Sequence, residues 1–172
     1  GPGSAAPGSA TFGTIVVKPR SGSPEAFANL LRREAQRVDP NLALYPRKVN
    51  NFLYLGINNT FPPFDNENVR QAFAMLIDKQ RIVDDFYAPG SVPATQFVPS
   101  GVKPGYTDGF VDTTYDVAKA VEMLKAEGFD FNKEYTLSYA ERTRPYFPQP
   151  TKIAQAVQAQ LAEAGIKVKL EM

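Results

Sequence analysis

The chain has 172 residues, 43% hydrophobic and 22% charged, the composition of one soluble globular domain that buries roughly two thirds of its unfolded surface. It contains neither Cys nor His, which excludes disulfide staples, the usual zinc and iron ligand sets, Ser-His-Asp and Cys-His catalysis and a neutral-pH imidazole switch. A net charge of +1 provides no strong field for nucleic acid or an anionic membrane, so partners must be recognised locally.

Residues 1–10, GPGSAAPGSA, cannot bury enough apolar surface to order themselves. Gly1–Ser4 reads as an expression scar and the remainder as a disordered linker, leaving residues 11–172 as one α/β domain. Ile15-Val16-Val17 reads as a short buried strand. Ser23 as N-cap and Pro24 at the first helical position open a helix with Phe27, Leu30, Leu31 and Val38 on one face, and Asp39-Pro40 stops it. The run 51–58, NFLYLGIN, is expected to be a strand. Pro62-Pro63 then breaks the chain before Asp65 or Asn66 caps a helix bearing Val69, Ala72, Phe73, Leu76 and Ile77. Asp78 caps a short continuation carrying Ile82, Val83 and Phe86.

Residues 88–113, rich in proline and glycine, read as a long loop, which either wraps a fold or serves a site. Asp116 caps a helix with Val117, Ala120, Val121 and Leu124, closed by Gly128. A strand is expected over Tyr135–Ala140, a helix over Thr151–Ala164 closed by Gly165, and a last strand at Ile166, Val168 and Leu170. Alternation of strand and helix patterns predicts an α/β fold, a mixed sheet flanked by helices. The sequence stops just after the last strand, which suggests that a larger protein continues.

Catalytic signals are weak. Asp84 and Asp85 are adjacent and point about 100° apart on a helix, so they form no shared acid/base pair. Gly101, Lys103 and Gly105 lack the order and spacing of a phosphate loop. Asn58-Asn59-Thr60 fits the glycosylation triplet, a pattern common by chance. Arg70, set among apolar positions, reads as a scaffold residue whose head bonds nearby carbonyls or an acid.

Recognition chemistry concentrates in residues 142–150, RTRPYFPQP, between a strand and a helix. Three prolines stiffen it, and Pro145 pushes Arg144 into an extended conformation, so Arg142 and Arg144 are expected on one side. The start of the following helix directs free N–H groups and a positive dipole end towards the same region. Planar cation and helix start together suit a carboxylate; the plainer alternative is an exposed loop with surface arginines.

In order along the chain, NFLYLGIN, PPFDNENVRQAFAMLIDKQRIV, PGSVPATQFVPSG, YDVAKAVEMLKAEGF and RTRPYFPQPTKIAQAVQAQLAEAGIKVKLE resemble one lobe of the extracellular solute-binding proteins of the dipeptide/oligopeptide family. The resemblance is close over residues 51–172, weaker over 15–50 and absent before Thr11. It implies one lobe of a two-lobed, periplasmic-binding-protein-like fold that captures a peptide or other small solute and hands it to an ABC-transporter permease. The natural protein would then work in the periplasm or anchored outside the membrane, with its signal peptide removed here. It implies no enzyme activity and no cofactor. By the same resemblance, Arg144 grips the ligand carboxylate and Tyr146 is a neighbouring cleft residue, with Arg142 beside them.

The acidic residue that such proteins place against a peptide's amino group has no counterpart before Met172, so the lobe alone, without its second lobe, is expected to bind peptides at about millimolar strength or worse. Two other classes stay open. A carboxylate hydrolase needs two acids facing one cleft, and periodicity supplies no such pair. An isolated lobe acting only as a folding or dimerising module is the stronger rival. Within the family, the lack of His disfavours the nickel-chelate and haem specialists.

Overall fold

The computed structural model describes residues 24–40, 50–88 and 90–172, with the side chains of 24–28 left aside. The expected linker over 1–10, the strand at Ile15–Val17 and the capping role of Ser23 lie outside the described residues. The chain divides into two compact units, residues 1–44 and 45–172. In the first, helix α1 spans Pro24–Val38, with proline at its first position and the end at Asp39-Pro40 as the sequence predicts. Its polar face carries an Arg37 Nε to Glu34 Oε2 pair at 3.0 Å. Leu30 and Leu31 are each 41% exposed.

The second unit holds α2 (Glu67–Met75), α3 (Lys79–Phe86), α4 (Val117–Ala126), β1 (Glu134–Ser138), α5 (Pro150–Glu163) and β2 (Lys167–Glu171). Local chemistry sets the helix starts. Asn66, the second of the two predicted caps, accepts from the Asn68 N–H; Asp78 accepts from Arg81 and Asp116 from Lys119. Glycine sets two of the ends. Gly128 and Gly165 have φ of +67° and +81°, and in each case the N–H one residue further on closes back onto the helix, Phe129 to the Leu124 carbonyl and Ile166 to the Leu161 carbonyl, both at 3.0 Å.

The core forms where α2 and α4 pack over the sheet and α5. Val69, Ala72, Phe73 and Leu76 of the α2 segment meet Ala120 and Leu124 of α4, Phe129, Tyr135 of β1, and Leu161 and Ile166. Its aromatic centre joins Phe64 to Phe73 edge to face at 5.0 Å, Phe73 to Phe129 at 5.6 Å, and Phe129 stacked on Tyr135 at 5.2 Å. Side-chain amides of Asn66 and Asn68 both donate at 2.6 Å to Glu127, tying the start of α2 to the end of α4. Arg70 takes the scaffold role expected of it, donating to the Phe64 and Asp65 carbonyls at 2.8 and 3.0 Å.

The α/β class holds. Among the described residues the sheet is one parallel pair, β1 against β2, registered from Glu134–Lys167 to Ser138–Glu171. Parallel neighbours need a crossover, and α5 supplies it. The expected strand over 51–58 is corrected: these residues form no ladder with either strand. A strand exists only through a partner, however good its own pattern. Phe52 and Tyr54 instead close on Phe97 of the 88–113 loop, at ring distances of 5.1 and 5.7 Å. That loop is held by the Gln96 side chain, which donates to the Thr107 carbonyl at 2.8 Å and accepts from its N–H at 3.1 Å.

Candidate functional site

The segment 139–150 leaves the sheet at the end of β1 and enters α5. Tyr139 extends the ladder by one step, its N–H donating to the Glu171 carbonyl at 2.8 Å. Residues 141–146 are then exposed, 147–149 half-buried, and Pro150 buried as the first residue of α5. The loop is a closed bend. Arg144 and Phe147 exchange backbone hydrogen bonds in both directions, at 3.0 and 2.9 Å, with Pro145 and Tyr146 at the corners. Proline at the first corner fits because its fixed φ is that of a turn's second residue.

Arg144 and Tyr146 therefore share one four-residue turn, and Arg142 precedes it on the same exposed stretch. Among the described residues, neither Arg142 nor Arg144 makes a side-chain hydrogen bond or ion pair. Arg144 is not folded back onto an acid among the described residues. At the adjoining start of α5, the N-cap Gln149 makes no side-chain capping bond and Pro150 has no N–H. The Thr151 and Lys152 N–H groups, orphaned by helix geometry, are left as donors on the residues that follow the bend.

One residue of this region escaped the sequence reading. Tyr87, the C-cap of α3, donates its hydroxyl to the Tyr146 carbonyl at 2.8 Å across 59 positions. Burial holds its phenol above the ordinary value of 10.0, so it stays a donor at neutral pH. In sequence Tyr87 merely ends an apolar stripe with Val83 and Phe86, and no local signal reveals a partner so far along the chain.

The dismissed motifs stay structural. Asp84 accepts from Gln80, Asp85 lies near Arg81, and Asn58 Oδ1 accepts from the Thr60 N–H and hydroxyl in a local turn. No cluster of acids able to hold a metal ion occurs among the described residues, and no helix there is long and apolar enough to cross a membrane.

Residues 20–172 match the family described as bacterial extracellular solute-binding proteins, family 5, middle region. The chain belongs to that family. Family 5 proteins are binding proteins of transport systems, not enzymes. Di/tripeptide-binding protein 1 of Pseudomonas aeruginosa (strain UCBPP-PA14) is 37% identical over 143 residues, 80% of this chain and 25% of the relative. A probable ABC transporter periplasmic-binding protein, SapA of Escherichia coli (strain K12), is 34% identical over 132 residues, 77% of this chain and 24% of its own. The solved structure of HbpA2 from Haemophilus parasuis superposes with a TM-score of 0.70 at 32% identity, over 83% of this chain and 28% of that one. The chain thus spans about a quarter of the length of these relatives.

Proposed function

We propose that this chain is the ligand-binding lobe of a two-lobed substrate-binding protein that captures peptides in the periplasm, or at the outer face of the membrane, for import by an ABC-transporter permease. Residues 11–172 form that lobe. Arg144 anchors the ligand's carboxylate, with Arg142 and Tyr146 beside it. The observation that carries this reading is an exposed guanidinium, unpaired among the described residues, on a closed proline-cornered bend that runs into the uncapped start of α5. A carboxylate set there meets a planar fork and backbone donors together. The names of the peptide-binding relatives support the ligand class.

The test is a titration of the two-lobed protein carrying this lobe. Loss of one charge-assisted contact, about 1.5–3 kcal/mol, weakens dipeptide binding roughly 10- to 150-fold in Arg144→Ala. Amidating the peptide's C-terminus should cost wild type at least a similar factor and cost the variant clearly less, because only the backbone donors at the start of α5 still favour the acid. An Arg144→Ala protein that distinguishes acid from amide as strongly as wild type sinks the assignment.

A second reading, in which the lobe acts as a self-associating module, is favoured by the triad of Phe52, Tyr54 and Phe97: the last two are 65% and 71% exposed. Its occupant is a second copy of the chain. Light scattering at about 100 μM, where an interface of micromolar strength is filled, separates the readings, since a monomer there removes the second.

A further inference from the structure

Residues 141–148 carry the proposed anchor, yet little holds them. Within the segment, the one closure is the Arg144–Phe147 pair. Beyond it, the Tyr87 hydroxyl on the Tyr146 carbonyl is the one hydrogen bond, among the described residues, that ties 141–148 to another element. Tyr87 itself is well placed to be rigid. It sits directly after α3, its N–H closing onto the Val83 carbonyl at 3.0 Å, and its side chain is half-buried. The other end of α3 is fixed to α5, where Gln160 accepts from the Asp78 N–H at 2.9 Å. The bend is thus clamped from both sides: its own chain runs into α5, and α3, pinned to α5, reaches over to its corner.

We infer that Tyr87 is a positioning residue for Arg144: its hydroxyl fixes the corner of the bend at Tyr146 and so holds the guanidinium two residues earlier ready for the ligand. The inference rests on the reading of Arg144 as the carboxylate anchor. Tyr87 touches no ligand in this scheme. It acts by sparing the complex the cost of ordering a loop on binding.

The test uses Tyr87→Phe, which keeps the ring and removes only the donor. Thermal midpoint and core amide exchange in the 172-residue chain check that the variant folds. In that chain, exchange at the Arg144 and Phe147 amides should rise about three- to tenfold, the range expected for loss of one hydrogen bond, with the amides of β1 and β2 unchanged. In the two-lobed protein, Tyr87→Phe should weaken dipeptide binding by about the same factor and, decisively, add nothing on top of Arg144→Ala.

Unchanged exchange at Arg144 and Phe147 overturns the brace, whatever Arg144→Ala does to binding. Raised exchange with unchanged affinity overturns the positioning role, as does an equal loss in the presence and absence of Arg144. If Arg144→Ala binds as wild type, the anchor itself is wrong, and the positioning role goes with it even where exchange rises.

Discussion

Gln160 sits 4% exposed between α5 and the start of α3, its side-chain oxygen accepting from the Asp78 N–H at 2.9 Å and its amide reaching the Asp78 carbonyl at 3.4 Å. Gln160→Leu keeps the volume and removes both bonds. The longer contact is too stretched to count for much. The shorter one leaves an N–H without its partner inside the protein, worth about 1–2.5 kcal/mol, and the near-isosteric Leu adds little cavity cost. For a chain of this size that is roughly a 3–8 °C fall in thermal midpoint, readable by far-UV circular dichroism.

Gln160→Glu sharpens the reasoning. A protonated Glu can still accept from the Asp78 N–H and donate to the Asp78 carbonyl, whereas the anion faces that carbonyl and a buried site, so its folded pKa lies above its unfolded one. Such a group stabilises below the unfolded value, about 4.3, and that stabilisation is lost as pH rises through the folded pKa. The Glu variant should therefore approach wild type at acid pH and fall below the Leu variant at neutral pH. A Leu variant within 1 °C of wild type, or a Glu variant with no such pH dependence, refutes the tie.

Other outcomes follow from the same structure. Leu124→Ala, in the middle of the α2–α4 core, should destabilise by about 2–5 kcal/mol in urea, and Leu30→Ala on α1 by less than about 1 kcal/mol. Glu127 is held below its ordinary value of 4.5 by the amides of Asn68 and Asn66, so its contribution is present above that value and lost as pH falls through the folded pKa; Glu127→Gln should flatten the acid limb of the stability curve. The 172-residue chain by itself should bind dipeptides at about millimolar strength, because one anchor on an open face supplies only a few kcal/mol; micromolar heat in calorimetry contradicts this.

Most helix boundaries were legible because their causes are local. Asn66, Asp78 and Asp116 cap by reaching two or three residues ahead, and Gly128 and Gly165 end helices through a positive φ that few other residues adopt. The apolar spacing of α2 foretold Val69, Ala72, Phe73 and Leu76 of its buried face, while Met75 is buried without having been named and Ile77 is only half-buried. NFLYLGIN shows where this reasoning ends. Its pattern is as strand-like as that of β1, but β1 has β2 as partner and residues 51–58 have no ladder among the described residues. Pairing is a relation between distant segments, and a single stretch does not contain it. The same holds for Tyr87, whose role depends on a carbonyl 59 positions away. The stiff 142–150 segment was legible because proline acts on its own neighbours, although its closure between Arg144 and Phe147 emerged only in three dimensions.

The position of the candidate site follows from the topology more than from any one residue. Because β1 and β2 run parallel, the chain must leave the end of β1 and start a helix before returning, so a strand's carboxyl end and a helix's amino end lie at the two ends of one short connection. Backbone donors are orphaned there whatever the sequence. This chain adds the stiffness of three prolines, two arginines unpaired among the described residues and the Tyr87 hydrogen bond from the end of α3. On the proposed reading, topology supplies a generic anion-favouring corner, the loop gives it a fixed shape, and Arg144 adds a preference for a flat, two-oxygen acceptor over a point charge. Arg144→Lys keeps the charge and loses the fork, so it separates the last of these contributions from the first two.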